Sequence, residues 1–187
     1  MNTPINHLTA GFIGLGLIGG SIARGLKRSA PDIQIMAYMR TREKLEQAHA
    51  DGIVDLILDG VDEHLSECDI IFLDFHAETT SEKIAMGWYL DGRVNGVVGT
   101  HTHVQTADER ILPQGTAYIT DLGMVGPRDS VLGVKTDLIL KKFTTAMPVR
   151  FDVAEGPCVY SALIVEIDTA TNKTCGIERI MLQEDAL

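Results

Sequence analysis

A glycine-rich turn between a short apolar strand and a helix is the feature that most restricts how this chain can fold. Gly14, Gly16 and Gly19 form the pattern Gly-x-Gly-x-x-Gly directly after the apolar pair Phe12-Ile13. In such a turn the first glycine permits the tight bend, the second lets a phosphate approach the backbone, and the third allows close helix–strand packing. The helix then offers free N–H groups to an anion. The pattern predicts either a nucleotide-binding turn or a tightly packed connection without a ligand.

Strand and helix patterns alternate after this turn. Residues 33–38 and 54–58 have the pattern of short apolar strands, residues 41–50 that of a helix, and residues 69–73 that of a fourth strand. Alternation at this spacing is typical of a parallel sheet covered by helices. We therefore predict an α/β fold with a mostly parallel, doubly wound sheet that is Rossmann-like in its first half.

The residues that follow the second strand bear on which cofactor the turn would accept. Dinucleotide-binding units usually place an acid there to bind the ribose 2′-hydroxyl. This chain has Met39 instead, followed by Arg40 and Arg42. The absence of an acid at this position, together with a nearby arginine, favours a 2′-phosphorylated dinucleotide, with Arg40 as a cofactor-binding residue. The alternative is that both arginines are solvated residues at the start of the next helix, and the sequence supports the two interpretations equally.

Three histidines follow strands whose carboxyl ends are expected to be neighbours. The strand at residues 69–73 leads into His76, and the strand at residues 94–100 leads into His101 and His103. Parallel strands lie about 5 Å apart and ligands bind beyond their carboxyl ends, so the three imidazoles could converge. Imidazole suits Zn, Fe and Mn. The pattern predicts a site for a divalent transition metal at His76, His101 and His103, with ordinary surface histidines as the alternative.

The first of two family resemblances covers residues 10–73. Its motifs are Gly-Phe-Ile-Gly-Leu-Gly-Leu-Ile-Gly-Gly-Ser-Ile-Ala at 11–23, Asp-Gly-Ile-Val-Asp at 51–55 and Cys-Asp-Ile-Ile-Phe-Leu at 68–73. This segment resembles the amino-terminal NAD(P)-binding part of prephenate and arogenate dehydrogenases. The resemblance implies NAD(P) as a cofactor. The catalytic histidine and the helical dimerisation domain of that family have no counterpart after residue 73, so the resemblance implies a cofactor-binding fragment without the dehydrogenase chemistry.

The second resemblance covers residues 74–187. Its motifs are Asp-Phe-His-Ala-Glu-Thr-Thr-Ser-Glu-Lys at 74–83 and Val-Val-Gly-Thr-His-Thr-His-Val-Gln-Thr-Ala-Asp at 97–108, with further runs at 87–93, 111–121 and 148–156. This part resembles the second half of YmdB-type metallophosphoesterases, relatives of the calcineurin-like enzymes. The resemblance implies hydrolysis of phosphodiesters such as 2′,3′-cyclic nucleotides. It assigns His76 and His101 to one metal of a binuclear pair and His103 to the other.

The motifs that characterise the first half of those phosphoesterases are missing from this chain. That half supplies an early Asp, a bridging Glu in a Glu-Asn pair, and an Asn-His pair that protonates the leaving group, and none of these motifs precedes residue 74. A two-metal mechanism needs the bridging acid. We therefore expect at most one loosely held ion and weak or absent turnover, and no catalytic residue is assigned. Asp121 is either a partner that orients a histidine or a buried turn acid.

Three functional hypotheses follow, together with an expected domain organisation. The chain is a metal-dependent phosphoesterase with an incomplete site, an NAD(P)-binding fragment, or a hybrid that folds without catalysing a reaction. Residues 1–73 would form the Rossmann-like half and residues 74–187 the metallophosphoesterase-like half, sharing one sheet. Within the second half, the pattern predicts a helix at 79–89 with Ile84 and Trp88 on its apolar face. It also predicts a loop at 123–129 and an antiparallel β-meander of segments 149–154, 159–167 and 176–182.

Charge and composition restrict the partners. The formal net charge of −10 argues against a nucleic-acid polymer or an anionic membrane surface, and leaves a small phosphorylated substrate held through a metal. The sequence contains no run of about 18 apolar residues, so it does not predict a membrane span. Three scattered cysteines and an amino terminus without a signal-peptide pattern favour a cytoplasmic location. A homo-oligomer is compatible with the sequence.

Overall fold

The computed structural model describes residues 8–15, 17–61, 63–168 and 170–184. The strands are β1 (Thr9–Ile13), β2 (Gln34–Tyr38), β3 (Leu56–Ile57), β4 (Ile70–His76), β5 (Gly96–Thr100), β6 (Arg110–Ile111), β7 (Ala117–Ile119), β8 (Val125–Pro127), β9 (Cys158–Asp168) and β10 (Lys173–Gln183). The helices are α1 (Leu17–Ser29), α2 (Arg42–Ala50), α3 (Thr80–Leu90) and α4 (Thr136–Thr145), and a short 3-10 helix covers Glu63–Glu67. Among the described residues, no helix is long and apolar enough to cross a membrane.

The strands form a larger and a smaller sheet. The larger sheet has the order β3-β2-β1-β4-β5-β7-β6, and all of its pairs are parallel except β6 with β7 at one edge. The smaller sheet is antiparallel, with the order β10-β9-β8. Both parts of the predicted fold class, the mostly parallel α/β sheet and the C-terminal antiparallel meander, are confirmed. The chain changes direction across the sheet between β1 and β4, which is where ligands bind in open α/β sheets.

Strand β4 runs without interruption through the point where the two family resemblances meet, at residues 73 and 74. Its first residues pair with β1, in the register Ala10 to Ile70 and Gly11 to Ile71. From Phe72 to His76 it pairs with β5. One strand therefore connects the segment that resembles a dehydrogenase to the segment that resembles a phosphoesterase.

A separate hydrophobic cluster lies on each side of β4. The cluster of the first half buries apolar side chains of α1, β2 and α2, including Ala23, Ile35 and Leu45. The cluster of the second half is built on Val97, Leu112 and Tyr118. Each half of the sheet therefore has its own packed interior, and neither cluster includes a histidine.

The inward face of α3 differs from the prediction. Its buried residues are Lys83 and Gly87, whereas Trp88 is 51% exposed. A Cβ atom on Gly87 would lie 2.5 Å from Cδ2 of Tyr118, so the helix packs against this ring through a position that has no side chain. Trp88 lies instead next to the Arg110 guanidinium, 5.7 Å from the ring centroid, in a cation–π contact at the surface. Ile84 packs partly buried against the second cluster, as predicted.

The first strand of the small sheet also comes from an unexpected segment. Residues 149–154 were expected to form it, but within them only Val153 makes an isolated bridge, with Val134. The strand is β8, within the predicted loop at 123–129, and it pairs with Cys158 to Tyr160 of β9. Gly126 and Pro127 make this segment look like a turn. Proline is tolerated here because β8 is an edge strand, where a backbone N–H can remain unpaired.

Candidate functional site

His76 and His101 meet at the carboxyl edge of the larger sheet. His76 is the last residue of β4, and His101 directly follows β5, the neighbouring strand. Nε2 of His76 lies 3.3 Å from Nδ1 of His101, and the ring centroids are 5.1 Å apart with an interplanar angle of 74°. Both side chains are exposed to solvent. The structure therefore brings together two of the three histidines that the sequence singled out.

A chain of hydrogen bonds orients the His76 ring. The Thr100 hydroxyl donates to Oδ1 of Asp74 at 2.9 Å, and Nδ1 of His76 lies 3.2 Å from the same hydroxyl oxygen. An ionised carboxylate only accepts hydrogen bonds, so the single hydroxyl proton of Thr100 is committed to Asp74. Nδ1 of His76 must then donate to Thr100, which leaves the lone pair of Nε2 facing His101. Histidines that bind metals are commonly held in one tautomer by such a partner.

The sequence analysis missed the roles of Asp74 and Thr100, and the sequence carries a signal only for Asp74. Asp74 and His76 are two positions apart on one strand, so their side chains project from the same face. Thr100 is the register partner of His76 on β5. Alternation along β4 pointed to Asp74, but the register that places Thr100 opposite His76 is a property of strand pairing, which the sequence alone does not specify.

His103 lies two residues beyond His101 in the same exposed loop and has a positive φ of 65°. Among the described residues, no hydrogen bond or ring contact joins it to His76 or His101. Within the same part of the chain, no group of three or more His, Cys, Asp or Glu side chains is arranged to hold a metal ion. The third predicted ligand is therefore near the pair in sequence but does not complete it.

The residues present fit one divalent ion better than two. Zinc–nitrogen bonds are about 2.0–2.1 Å long, so two imidazole nitrogens on one ion are separated by at most about 4.2 Å. The separation of 3.3 Å between the two ring nitrogens is within this limit. Within the described residues no carboxylate bridges the pair to a second ion position. Among the described residues, the donor set therefore fits two nitrogen ligands of a single ion better than a binuclear centre.

Asp121 holds the loop that carries His101 and His103. Its Oδ2 accepts a hydrogen bond from the Thr102 N–H at 2.8 Å, and its Oδ1 accepts one from the Gly123 N–H at 3.0 Å. Burial alone would raise the pKa of Asp121, but these hydrogen bonds, together with one from Lys83, outweigh it and lower the pKa. Asp121 is buried and hydrogen-bonded to the backbone of the histidine loop rather than to a histidine ring, so its role as a partner that orients a histidine stays a prediction.

The glycine-rich turn lies at the carboxyl end of β1, beside β4 on the same edge of the sheet. Gly14 has φ +92° and its N–H donates to the Tyr38 carbonyl at 2.8 Å. A Cβ atom on Gly19 would lie 2.5 Å from the Gly14 carbonyl oxygen. The positive φ accounts for glycine at position 14 and close packing accounts for glycine at position 19, so neither position requires a ligand to explain it. Gly16, the third glycine of the pattern, lies outside the described residues.

The two arginines after β2 have different surroundings. Arg42 pairs with Asp59 at 2.6 Å and with Glu46 at 3.2 Å, and these contacts raise its pKa. Arg40 is exposed to solvent at the end of β2. Arg42 is therefore committed to neighbouring acids, whereas the role of Arg40 as a cofactor-binding residue stays a prediction.

A cleft of about 270 Å³ lies at the opposite edge of the larger sheet, near the amino end of β5. Its lining includes Cys68, Arg93, Asn95, Gln114 and Lys173. None of the three candidate histidines borders it, so this cleft is separate from the candidate metal site.

Comparison with known proteins identifies relatives of both parts of the chain. A sequence model of a family described as "YmdB-like protein" matches residues 27–180. The chain is 61% identical over 115 residues to the 2′,3′-cyclic-nucleotide 2′-phosphodiesterase of Bacillus subtilis (strain 168), a match that covers 62% of this chain and 44% of the relative. It is 34% identical over 71 residues to a cyclohexadienyl dehydrogenase of Zymomonas mobilis, covering 38% of this chain and 24% of that protein. The chain thus spans less than half the length of these curated relatives.

A solved structure shares the fold along almost the entire chain. The crystal structure of a novel phosphatase from Mycoplasma pneumoniae has a TM-score of 0.61 and is 25% identical, and the match covers 96% of this chain and 92% of that chain. Both resemblances predicted from the sequence, a phosphoesterase-like part and a shorter dehydrogenase-like part, are therefore confirmed.

Proposed function

Because the chain belongs to the YmdB-like protein family, we propose that it is a phosphoesterase-type protein that holds one divalent transition-metal ion through His76 and His101. The observation that carries this proposal is the distance of 3.3 Å between Nε2 of His76 and Nδ1 of His101. The hydrogen bonds from Nδ1 of His76 to Thr100 and from Thr100 to Asp74 support it, because they leave the lone pair of Nε2 of His76 as a ligand for a cation. His103 is available from the same loop as a weaker, additional ligand.

We propose a small phosphodiester of the 2′,3′-cyclic nucleotide type as the substrate. The name of the Bacillus subtilis relative, which is 61% identical over the matched part, supports this class. A divalent ion supplies Lewis-acid stabilisation of charge on a phosphoryl oxygen. In a chain with a net charge of −10, such an ion would also be needed to attract an anionic substrate. With two well-placed ligands and no bridging acid among the described residues, we expect turnover well below that of a binuclear enzyme.

The test is hydrolysis of bis-p-nitrophenyl phosphate and of 2′,3′-cyclic AMP in the presence of added Mn²⁺. We expect slow, manganese-dependent hydrolysis by the wild type that is abolished in His76→Ala and in His101→Ala. His49→Ala is the matched control, because His49 is an exposed histidine on α2, remote from β4 and β5. Hydrolysis that persists in both site variants would overturn the proposal. A wild type that neither binds Mn²⁺ nor hydrolyses either substrate would identify the chain as a non-catalytic hybrid.

A second candidate function is binding of NAD(P) at the glycine-rich turn. The parallel β1-α1-β2 unit, with its turn at the carboxyl edge and Arg40 exposed at the end of β2, is the observation that favours it. Calorimetric titration with NADPH and NADH tests this candidate. We expect NADPH to bind more tightly, and Arg40→Gln to remove the preference without weakening NADH. The absence of heat for either dinucleotide at millimolar concentration would eliminate this function.

A further inference from the structure

A buried ion pair lies beneath the histidine loop. Nζ of Lys83, on α3, is 3.2 Å from Oδ2 of Asp121, which follows β7, and both side chains are 1% exposed. Burying two charges requires removing both from water, and a buried pair often stabilises a protein no more than apolar residues of the same volume would. The position of this pair therefore suggests a role other than stability.

The lysine side chain passes close to the strand that delivers His101. A Cβ atom on Gly99 of β5 would lie 2.8 Å from Cδ of Lys83 and closer still to the carbonyl oxygen of Thr120. Glycine at this position therefore leaves room for the lysine to reach Asp121. The Leu122 N–H donates to the Gly99 carbonyl at 2.8 Å, which ties the segment containing Asp121 to the same part of β5.

The backbone on either side of Thr102 is in an unfavourable conformation. His101 has φ +138° and His103 has φ +65°, in a region that residues other than glycine seldom adopt. Such conformations persist only where surrounding contacts maintain them. Thr102 lies between these two histidines in the chain, and its N–H donates to Oδ2 of Asp121 at 2.8 Å, the oxygen that Lys83 also contacts.

We propose that Lys83 and Asp121 are positioning residues, and that their ion pair fixes Thr102 so that His101 meets His76 in a geometry ready to bind a cation. This inference rests on the proposed site at His76 and His101. Without Lys83, Asp121 would be a buried charge without a counter-ion. Its carboxylate could then gain solvation only by moving toward water, away from the Thr102 N–H. The loop would lose its anchor, and the strained conformation of His101 would relax.

The test compares two variants with a matched control in metal-free protein. Lys83→Met removes the charge but keeps an unbranched side chain, and Asp121→Asn keeps the shape but directs an NH₂ group at one of the two backbone N–H donors. Lys27→Met is the control, because Lys27 pairs with Asp55 at 2.7 Å in the first half, remote from the histidine loop. Nuclear Overhauser contacts between the His76 and His101 rings report the geometry of the pair, and Mn²⁺ titration reports its affinity.

We expect Lys83→Met and Asp121→Asn to lose the contact between the two rings and to bind Mn²⁺ about 10- to 100-fold more weakly, the range observed for groups that orient metal ligands. Lys27→Met should change neither readout, even if it lowers the melting temperature. A folded Lys83→Met or Asp121→Asn protein that retains the ring contact and an affinity within twofold of wild type would overturn the proposal.

A measurement on the wild type covers the case in which both variants fail to fold. The Thr102 amide should exchange with solvent at least tenfold more slowly than the amide of His103, because only the former donates to the buried carboxylate. Equal exchange rates would contradict the proposal. The ring contact is measured without metal, so a wild type with the contact but no affinity for Mn²⁺ would refute the proposed function and leave the positioning role intact.

Discussion

At the scale of single residues, the site depends on which nitrogen of His76 carries its proton. The carboxylate of Asp74 accepts a hydrogen bond from the Thr100 hydroxyl, and that hydroxyl oxygen in turn accepts one from Nδ1 of His76. Nε2 is thereby left as a lone-pair donor at 3.3 Å from His101. The sequence predicted His76 and His101 as ligands from their places after two strands. It did not predict the partners that orient them, because those contacts are made across neighbouring strands.

Thr100→Val tests this chain of hydrogen bonds. The substitution preserves the shape of the side chain and the backbone pairing of β5 but removes the hydroxyl that fixes the His76 tautomer. We expect affinity for Mn²⁺ to fall about 10- to 100-fold, and ¹⁵N spectra of the ring to change from the Nδ1–H form to a mixture. Thr144→Val is the control, because the Thr144 hydroxyl bonds only within α4. An unchanged tautomer in Thr100→Val would show that another group orients the ring.

The pKa of Asp108 leads to a prediction about acid stability. Burial would raise the pKa of Asp108, but the hydroxyls of Thr106 and Thr120 and the Thr120 N–H donate to it and lower the pKa. The folded protein therefore binds this proton less readily than the unfolded chain, whose Asp pKa is about 3.9. The stabilising contribution is complete above that pKa and is lost as the pH falls through the lower, folded value. Thermal unfolding between pH 6 and 2.5 should show a smaller loss for Asp108→Asn than for wild type. Parallel curves would contradict this assignment.

At the scale of elements, periodicity located most of the helices and strands but misjudged which face of α3 is buried. Ile84 and Trp88 were expected to face inward, because an apolar stripe normally marks the buried face of a helix. The helix instead buries Lys83 and Gly87. Lys83 is buried because it pairs with Asp121, which is 38 residues away in the chain. Gly87 is buried because the Tyr118 ring fills the space beside it. Neither partner can be identified from the local pattern. The edge strand β8 was missed for a similar reason, since its pairing with β9 outweighs its turn-like residues.

Gly87→Ala tests the packing of α3 on the second half of the sheet. A methyl group at this position would lie 2.5 Å from Cδ2 of the Tyr118 ring. We expect the free energy of unfolding to fall by about 1–3 kcal/mol, the usual cost of overpacking. Gly25→Ala is the control: it is also helical, nothing lies within 4 Å of the added methyl, and helix propensity should raise stability by about 0.5–1 kcal/mol. Chemical denaturation measures both effects. A loss of stability in Gly25→Ala as large as that in Gly87→Ala would indicate that the ring is not the cause.

At the scale of the whole molecule, one parallel sheet joins two segments that resemble different families. The alternation of strands and helices predicted the sheet, and β4 continues across the junction because its first part pairs with β1 and its second part with β5. The arrangement places the glycine-rich turn and the histidine pair at the same edge of the sheet. The acidic motifs that the resemblance implies for a binuclear centre do not precede residue 74 in this sequence. We therefore propose that this edge of the sheet holds a single ion through His76 and His101.

The number of Mn²⁺ ions bound per chain, measured by native mass spectrometry and calorimetry, tests the central claim most directly. We predict one ion of modest affinity in the wild type, and none in the double variant His76→Ala/His101→Ala, with His49→Ala unchanged as the control. Two tightly bound ions would show that a binuclear centre is complete. Retention of the ion by the double variant would place the metal elsewhere and contradict the account.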